Sequence, residues 1–240
     1  VVEGQEQKIY KYFDWVMALV ITVLIISNIA SSAKIIDWGV SIFGIPLAFD
    51  GGTILFPLSY VLGDVLTEVY GFRKARRVIW TGFGMLGLTS LVFFAIQHLP
   101  GEVTWQSYAG QDAYNAILGG VSSGGIMLAS LTAYLAGSFT NSVILARMKV
   151  LTRGRFLWMR TIGSTLAGEA VDTAIFVTVA TLTGVFTWDI FLTLILTNYI
   201  FKVLFEAVLT PVTYQVVNRL KKAEHEDFFD TDTKFKIFAV

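Results

Sequence analysis

Long apolar stretches dominate the sequence and decide what it can fold into. A hydrocarbon layer about 30 Å thick is crossed by roughly 20 helical residues. Six stretches reach that length, and we predict spans over residues 15–33, 52–70, 78–96, 126–146, 162–185 and 190–217. They stay largely apolar on every face, in a chain that is 55% hydrophobic with a mean hydropathy of +0.65. This pattern predicts an all-α membrane protein with six transmembrane helices rather than a soluble domain.

Basic residues in the short connections predict the orientation of these spans. Clusters that contain Arg73, Arg147 and Arg219 follow the second, fourth and sixth stretches, whereas the connections after the third and fifth have acidic residues and no Lys or Arg. By the positive-inside rule, both termini are predicted to be cytoplasmic. Residues 1–222 would form the transmembrane transport domain and residues 223–240 a cytoplasmic tail. The mixed charges of the first outer connection do not decide its side.

Two of the predicted outer connections are longer than simple turns. Residues 37–52 contain short apolar runs broken by Gly and Pro, which indicates a hairpin or a partly re-entrant cap. Residues 98–120 mix aromatic and polar side chains, as an interfacial helix does. Either segment can cover an outward-facing pocket.

Polar side chains recur at four-residue steps inside four of the spans, so each span has one polar face. The members are Asn28 and Ser32 in the first span, Tyr60, Asp64 and Glu68 in the second, Ser164 and Asp172 in the fifth, and Asn198, Lys202 and Glu206 in the sixth. In the fifth span Gly168 shares this register, and Glu169 lies one turn from Asp172. A charge at the centre of a bilayer costs about 3 kcal/mol on insertion scales. These faces are therefore expected to meet around a polar interior.

Acids outnumber bases in that interior. Only Lys202 and Arg160 are available to balance the five carboxylates Asp64, Glu68, Glu169, Asp172 and Glu206. The excess of negative charge is relieved by protonation, by a bound cation, or by a ligand rich in hydrogen-bond donors. An amidine-like edge, as in a guanine-type base, donates two parallel bonds to a carboxylate. Alternatives stay open: Asp64 and Glu68 can form structural ion pairs with Arg73, Arg76 or Lys202, and Arg160 can snorkel to the interface.

Other function classes find little support. The chain has no cysteine and two isolated histidines, so we predict no catalytic residues, no metal site and no cofactor. An enzyme would need Ser–Lys chemistry at Lys202, and nothing resembles the filter loop of a channel. A formal net charge of zero gives no case for nucleic acid as a partner.

Three blocks carry a resemblance to a known family. The blocks "FPLSYVLGDVLTEVYGFRKARRVIW", "ASLTAYLAGSFTNSVI" and "LWMRTIGSTLAGEAVDTAIF" resemble those of the bacterial queuosine-precursor transporters, a branch of the vitamin-uptake transporter family. The resemblance implies a six-helix bundle similar to the S-components of energy-coupling-factor transporters, in the bacterial cytoplasmic (inner) membrane. It also implies import of a 7-deazaguanine precursor used in tRNA modification, such as preQ0 or preQ1. An S-component-like vitamin-binding subunit that needs a separate ATPase module is the alternative.

The resemblance and the polar faces together give a set of site residues. The predicted substrate-binding residues are Asn28, Tyr60, Asp64, Arg160, Ser164, Glu169, Asp172, Asn198, Lys202 and Glu206, with Glu68 in coupling or gating. One of Asp172, Glu169 or Glu206 would accept the donor edge of the base. The predicted partners are a nucleobase substrate, membrane lipid and, through glycine-rich faces, a second copy of the chain. The choice among preQ0, preQ1 and queuine stays open, as does the driving ion.

Overall fold

The computed structural model describes residues 9–42, 45–122 and 124–238. Its helices are α1 (Phe13–Ala33), α2 (Phe56–Tyr70), α3 (Phe72–Gln97), α4 (Val103–Tyr108), α5 (Gly110–Ser122), α6 (Gly124–Leu151), α7 (Leu157–Leu182) and α8 (Phe191–Glu224). The strands β1 (Ile35–Ile42) and β2 (Ile45–Asp50) and a short 3-10 helix (Gly51–Ile54) connect α1 to α2, and a second 3-10 helix (Trp188–Ile190) precedes α8. The predicted helical architecture is confirmed.

Five helical stretches among the described residues are long and apolar enough to cross a membrane. They are α1, α3, the stretch Gly110–Leu151 that contains α5 and α6, α7 and α8. The multi-pass prediction is therefore confirmed. Helix α2 has 15 residues, fewer than the roughly 20 that a full crossing takes. The sixth crossing, the S-component-like arrangement and the cytoplasmic location of the termini stay predictions.

The start of α2 explains its short length. The chain first forms the 3-10 helix and enters α2 at Phe56, four residues later than the predicted span begins. Pro57 lies in the first turn, where the missing N–H has no partner in the helix and the fixed φ favours helix formation. The sequence places Pro57 a few residues inside the predicted second span, where it would loosen the helix, whereas in the structure it lies in the first turn of α2.

Both long connections adopt regular structure. Strands β1 and β2 pair antiparallel with Ile35 opposite Asp50, which confirms the predicted hairpin. The second connection forms two helices, α4 and α5, instead of one. Helix α5 docks on the bundle, because Ser32 of α1 donates to the carbonyl of Ile117 at 2.7 Å and Tyr114 donates to the carbonyl of Phe93 at 3.0 Å.

Helix α8 separates an apolar face from a polar one. Large aliphatic side chains exposed at four-residue steps are Leu192, Leu196, Ile200, Leu204, Val208 and Val212. In a bilayer this stripe faces lipid. The polar residues of α8 lie on other faces, and Glu206 is buried against α2 and α7, the helices that pack on α8.

The two described ends of the chain meet at one end of the bundle. Near the end of α8, Glu224 accepts hydrogen bonds from the backbone N–H of Lys11 at 2.9 Å and of Tyr12 at 2.7 Å. The residues after α8 fold back: Asp230 accepts from the N–H of Phe72 at 3.0 Å, and the Phe235 ring packs on that of Phe72. A boundary between residues 222 and 223 stays a prediction.

Candidate functional site

Two glycines bring α6 and α7 close together beside the polar residues. A Cβ added to Gly137 of α6 would lie 2.7 Å from the Cβ of Asp172, and one added to Gly168 of α7 would lie 2.8 Å from the Cβ of Asn141. Real Cβ atoms do not approach that closely, so any larger residue would force the helices apart. The contact therefore fixes the positions of Asn141 and Asp172.

The centre of the site is an ammonium group held between two carboxylates. Lys202 Nζ of α8 lies 2.7 Å from Asp172 Oδ2 and 3.0 Å from Glu169 Oε2, both on α7. The Tyr60 hydroxyl of α2 donates a hydrogen bond to Glu169. The polar faces predicted for the second, fifth and sixth spans thus meet at these four residues.

A second acidic group lies beside this centre and involves a residue that the sequence analysis missed. Asn141 Nδ2 of α6 donates to Asp64 Oδ1 at 2.7 Å. Asp64 is 0% exposed and Asn141 is 3% exposed. Asp64 Oδ2 and Asn141 Oδ1 have no hydrogen-bond partner among the described residues. The sequence block "FTNSV" offers the signal for Asn141, a polar triplet within an apolar helix.

Glu206 is the most weakly compensated side chain of the site. It is 2% exposed, and neither carboxylate oxygen has a hydrogen-bond partner within the described part of the chain. Glu206 interacts electrostatically with Asp64 and with Glu169. We call Tyr60, Asp64, Asn141, Glu169, Asp172, Lys202 and Glu206 the interior polar cluster.

Among the described residues, three of the predicted substrate-binding residues form no recorded hydrogen bond with this cluster. Asn28 donates to the carbonyl of Leu24 at 2.9 Å, and Ser164 to that of Thr161 at 3.0 Å, each within its own helix. Asn198 of α8 is half-buried. Four-residue spacing predicts the helix face on which these residues lie, but it does not distinguish a ligand group from a side chain that binds its own backbone.

The remaining predicted residues, Arg160 and Glu68, belong to a separate ion cluster. Glu68 Oε1 lies 2.8 Å from Arg160 Nη2 and 2.7 Å from Lys221 Nζ, with Lys149 Nζ at 3.5 Å. Asp227, after α8, bonds Lys149 at 2.5 Å and Lys221 at 2.8 Å. We call these five residues the end ion cluster, since they lie where α2, α6 and α8 end and α7 begins.

The end ion cluster corrects three expectations. Glu68 pairs with Arg160, Lys149 and Lys221, and not with Arg73, Arg76 or Lys202. Arg160 is buried on Glu68, so it does not snorkel. Lys149 belongs to the basic cluster that contains Arg147, which served in the sequence analysis only to orient the spans. In the structure Lys149 is buried and also donates to the carbonyl of Phe228 at 2.8 Å.

The exposed member of the end ion cluster has a shifted pKa. Partial burial of Asp227 favours its neutral form and would raise the pKa. Hydrogen bonds and charges from Lys149 and Lys221 outweigh burial and lower the pKa of Asp227 below its ordinary value. The ionised carboxylate is therefore the form that fastens the tail to α6 and α8.

Apolar helices around a buried, charged interior are typical of multi-pass membrane proteins that transport polar solutes. Residues 50–216 match the family described as "Putative vitamin uptake transporter". The match covers more than half of the chain, so the chain belongs to this family. The prediction of a transporter rather than an enzyme is thereby confirmed.

Two curated relatives resemble the chain over most of its length. The "Probable queuosine precursor transporter" of Bacillus subtilis (strain 168) is 28% identical over 177 residues, which are 73% of this chain and 73% of that protein. The "Queuosine precursor transporter" of Escherichia coli (strain K12) is 26% identical over 191 residues, 79% of this chain and 80% of that protein. No solved structure matches the chain significantly.

Proposed function

We propose that this protein imports a queuosine precursor, a base of the 7-deazaguanine type, across the bacterial inner membrane. Two relatives that are named as queuosine precursor transporters, one of them as probable, align with about three quarters of the chain. In the structure, the proposal rests on one observation: Lys202 forms ion pairs with both Glu169 and Asp172 in the interior of the bundle. The chain also belongs to a family of transporters.

The interior polar cluster is chemically complementary to the polar edge of a guanine-type base. That edge presents a carbonyl acceptor next to a ring N–H and an amino group, both donors. A carboxylate accepts the two donors in parallel, and an ammonium group donates to the carbonyl. Asp172 and Lys202 are such a pair, with their charged atoms 2.7 Å apart. When the base binds, its donors replace Lys202 as the partner of Asp172, and its carbonyl replaces Asp172 as the partner of Lys202.

The other predicted residues take supporting roles in this proposal. Tyr60 stacks on the base or orients Glu169, to which it is already bonded. Asn28 and Ser164 each give up a side-chain hydrogen bond to a carbonyl of their own helix and bind the substrate instead. This exchange costs little free energy, because the carbonyl still accepts a hydrogen bond from a backbone N–H of the helix. Asn198, one turn before Lys202, adds an amide contact.

The end ion cluster serves as the inner gate in this proposal. Transport by alternating access requires the two ends of the bundle to open in turn. At the gate, Glu68 joins α2 to α7 through Arg160 and to α8 through Lys221. The ion pairs must separate when substrate leaves toward the cytoplasm, so Glu68 acts in gating and Arg160 acts with it.

Import is tested by restoring queuosine to the tRNA of an auxotrophic strain that lacks its own transporter and receives a precursor in the medium. Expression of the wild-type chain should restore queuosine. Asp172→Asn should reduce the uptake rate at least tenfold, whereas the matched control Asp189→Asn, at an exposed position before α8, should keep it. Normal uptake by Asp172→Asn would contradict the substrate role of Asp172.

A second experiment separates a solitary transporter from a subunit that needs an ATPase. Purified chain is reconstituted alone into liposomes, and uptake of labelled preQ1 or preQ0 is measured without ATP. Uptake above that of protein-free liposomes supports the solitary transporter. Uptake that appears only after addition of an energy-coupling ATPase module would instead support the S-component-like alternative.

A further inference from the structure

We propose that Asp64 and Glu206 form a proton-binding site which couples transport to proton entry. The inference rests in part on the proposed function, because coupling needs a transported solute. The proton site itself does not depend on the identity of the solute. It comprises two buried carboxylates on facing helices, α2 and α8, and the Asn141 amide of α6 beside them.

The charges of the interior polar cluster do not balance. Lys202 compensates Glu169 and Asp172, to which it is bonded. Asp64 and Glu206 have no cationic group within 4 Å among the described residues. An ionised carboxylate that is buried without a cation costs several kcal/mol. A proton removes that cost for one of the two acids, and the resulting O–H can donate to the other.

Three acceptor atoms without partners mark the position of this proton. Asp64 Oδ2 and both oxygens of Glu206 lack hydrogen-bond partners within the described chain. Asn141 provides independent evidence for a bound proton. Its amide nitrogen donates a hydrogen bond to Asp64, and its buried amide oxygen is a further acceptor without a partner within the described chain. Acceptors gathered without donors are satisfied when one carboxylate carries a proton, since that carboxyl group then donates.

The surrounding charges favour one proton shared by the pair. From α2, Asp64 and, farther away, Glu68 repel a second negative charge, and from α7 Glu169 repels Glu206. On α8, Lys202 forms ion pairs with Glu169 and Asp172, and the Tyr60 hydroxyl donates a hydrogen bond to Glu169. Two carboxylates in such surroundings hold one proton between them, as in other acid dyads.

Loss of this proton would change the packing of α2 on α8. With the proton bound, the two acids together carry one negative charge, so the repulsion between them is small. When it leaves, two negative charges face each other on helices that pack together, which favours their separation. The same helices end in the inner gate, at Glu68 and Lys221. Proton release toward the cytoplasm would therefore favour opening of that gate.

The proton site can be tested without any substrate. Infrared spectra of the purified protein in nanodiscs, recorded near neutral pH, should contain the C=O band of a protonated buried carboxyl group. Glu206→Gln and Asp64→Asn should each remove or shift that band, and Glu102→Gln, at an exposed position, should keep it. Absence of the band from the folded wild type, or its persistence unchanged in both variants, would overturn the proposal.

Coupling is tested in liposomes with an acidic exterior. A symport of one proton with a neutral base supports up to about tenfold accumulation for each pH unit. Wild type should accumulate labelled preQ0 under a pH gradient, and Glu206→Gln should lose the response to the gradient. A wild type that transports preQ0 without any response to pH, or that responds to a Na⁺ gradient instead, would overturn coupling.

A wild type that neither binds nor exchanges any precursor would contradict the proposed function. The infrared result would still decide whether the proton site exists.

Discussion

Glu68 Oε1 and Arg160 Nη2 lie 2.8 Å apart, with both side chains almost completely buried. The pair joins α2 to α7 at the end of the bundle where the two described ends of the chain also meet. Burial makes it sensitive to the removal of either partner, because the group left behind is an uncompensated charge. Lys221 and Lys149 share Glu68, so the carboxylate is the centre of the network.

The first prediction concerns this network. Glu68→Gln and Arg160→Met should each lower the free energy of unfolding by about 3 kcal/mol. The loss in the double variant should be smaller than the sum of the two single losses, by at least about 1 kcal/mol. Denaturant titrations in mixed micelles measure these values. Arg73→Met, at an exposed position on α3, should change stability by less than about 0.5 kcal/mol. Additive single and double values would contradict direct coupling.

The second prediction concerns the contact between α6 and α7. Gly137→Ala introduces a Cβ into the space occupied by Asp172, so it should lower the free energy of unfolding by about 1 to 3 kcal/mol and reduce uptake. Gly84→Ala is the matched control, since a Cβ there meets no atom within 4 Å. Equal thermal stability of the two variants in detergent would show that α6 and α7 are not in close contact.

The third prediction follows from the lowered pKa of Asp227. A carboxyl group with a folded pKa below its unfolded value contributes stability that is complete above the unfolded pKa, about 3.9, and disappears as the pH falls through the folded pKa. Attachment of residues 228–238 should therefore weaken in acid, below about pH 4.

Hydrogen exchange of the tail amides as a function of pH checks this attachment. Exchange, corrected for its intrinsic pH dependence, should accelerate in acid for the wild type. Asp227→Asn should raise tail exchange already at neutral pH and flatten its acid dependence. Asp232→Asn, at an exposed position, should behave like the wild type. A tail whose protection does not change between neutral and acidic pH would refute the role of Asp227.

The polar faces show how far sequence reasoning reaches. Four-residue spacing predicted that Tyr60, Lys202 and Asp172 lie on inward faces, and the structure brings them together because a charge inside a bilayer must find a partner. Spacing does not determine which partner. It offered Arg73, Arg76 or Lys202 as partners of Glu68, and none of these is the actual partner. Arg160 and two lysines reach Glu68 because α7 begins, and α6 and α8 end, beside it, which depends on the whole fold.

The tail marks the limit of that reasoning. Nothing local in the sequence indicates that Asp227 bonds Lys149 or that Asp230 binds the N–H at the start of α3, since these contacts join residues that are distant along the chain. The start of α2 was misjudged for a related reason. The residues before Phe56 are as apolar as a helix requires, but the preceding hairpin leads into a 3-10 helix first.

The fourth prediction concerns Pro211, within α8 between the interior polar cluster and the end ion cluster. Proline removes one helix hydrogen bond and weakens the helix there, which lets Glu206 and Lys221 move separately. Pro211→Ala should raise the thermal stability and lower the uptake rate several-fold. Val212→Ala, at an exposed neighbour, should leave the uptake rate near that of the wild type. Unchanged uptake by Pro211→Ala would exclude a hinge at this position.

The most direct test of transport is counterflow in liposomes that contain only this chain. Vesicles loaded with unlabelled preQ1 should take up labelled preQ1 faster than empty vesicles, and external preQ0 or queuine should compete if the site accepts the shared ring. Asp172→Asn should abolish counterflow, and Asp189→Asn should retain it. No counterflow with preQ1, preQ0 or queuine, in vesicles whose protein is folded and inserted, would contradict the account.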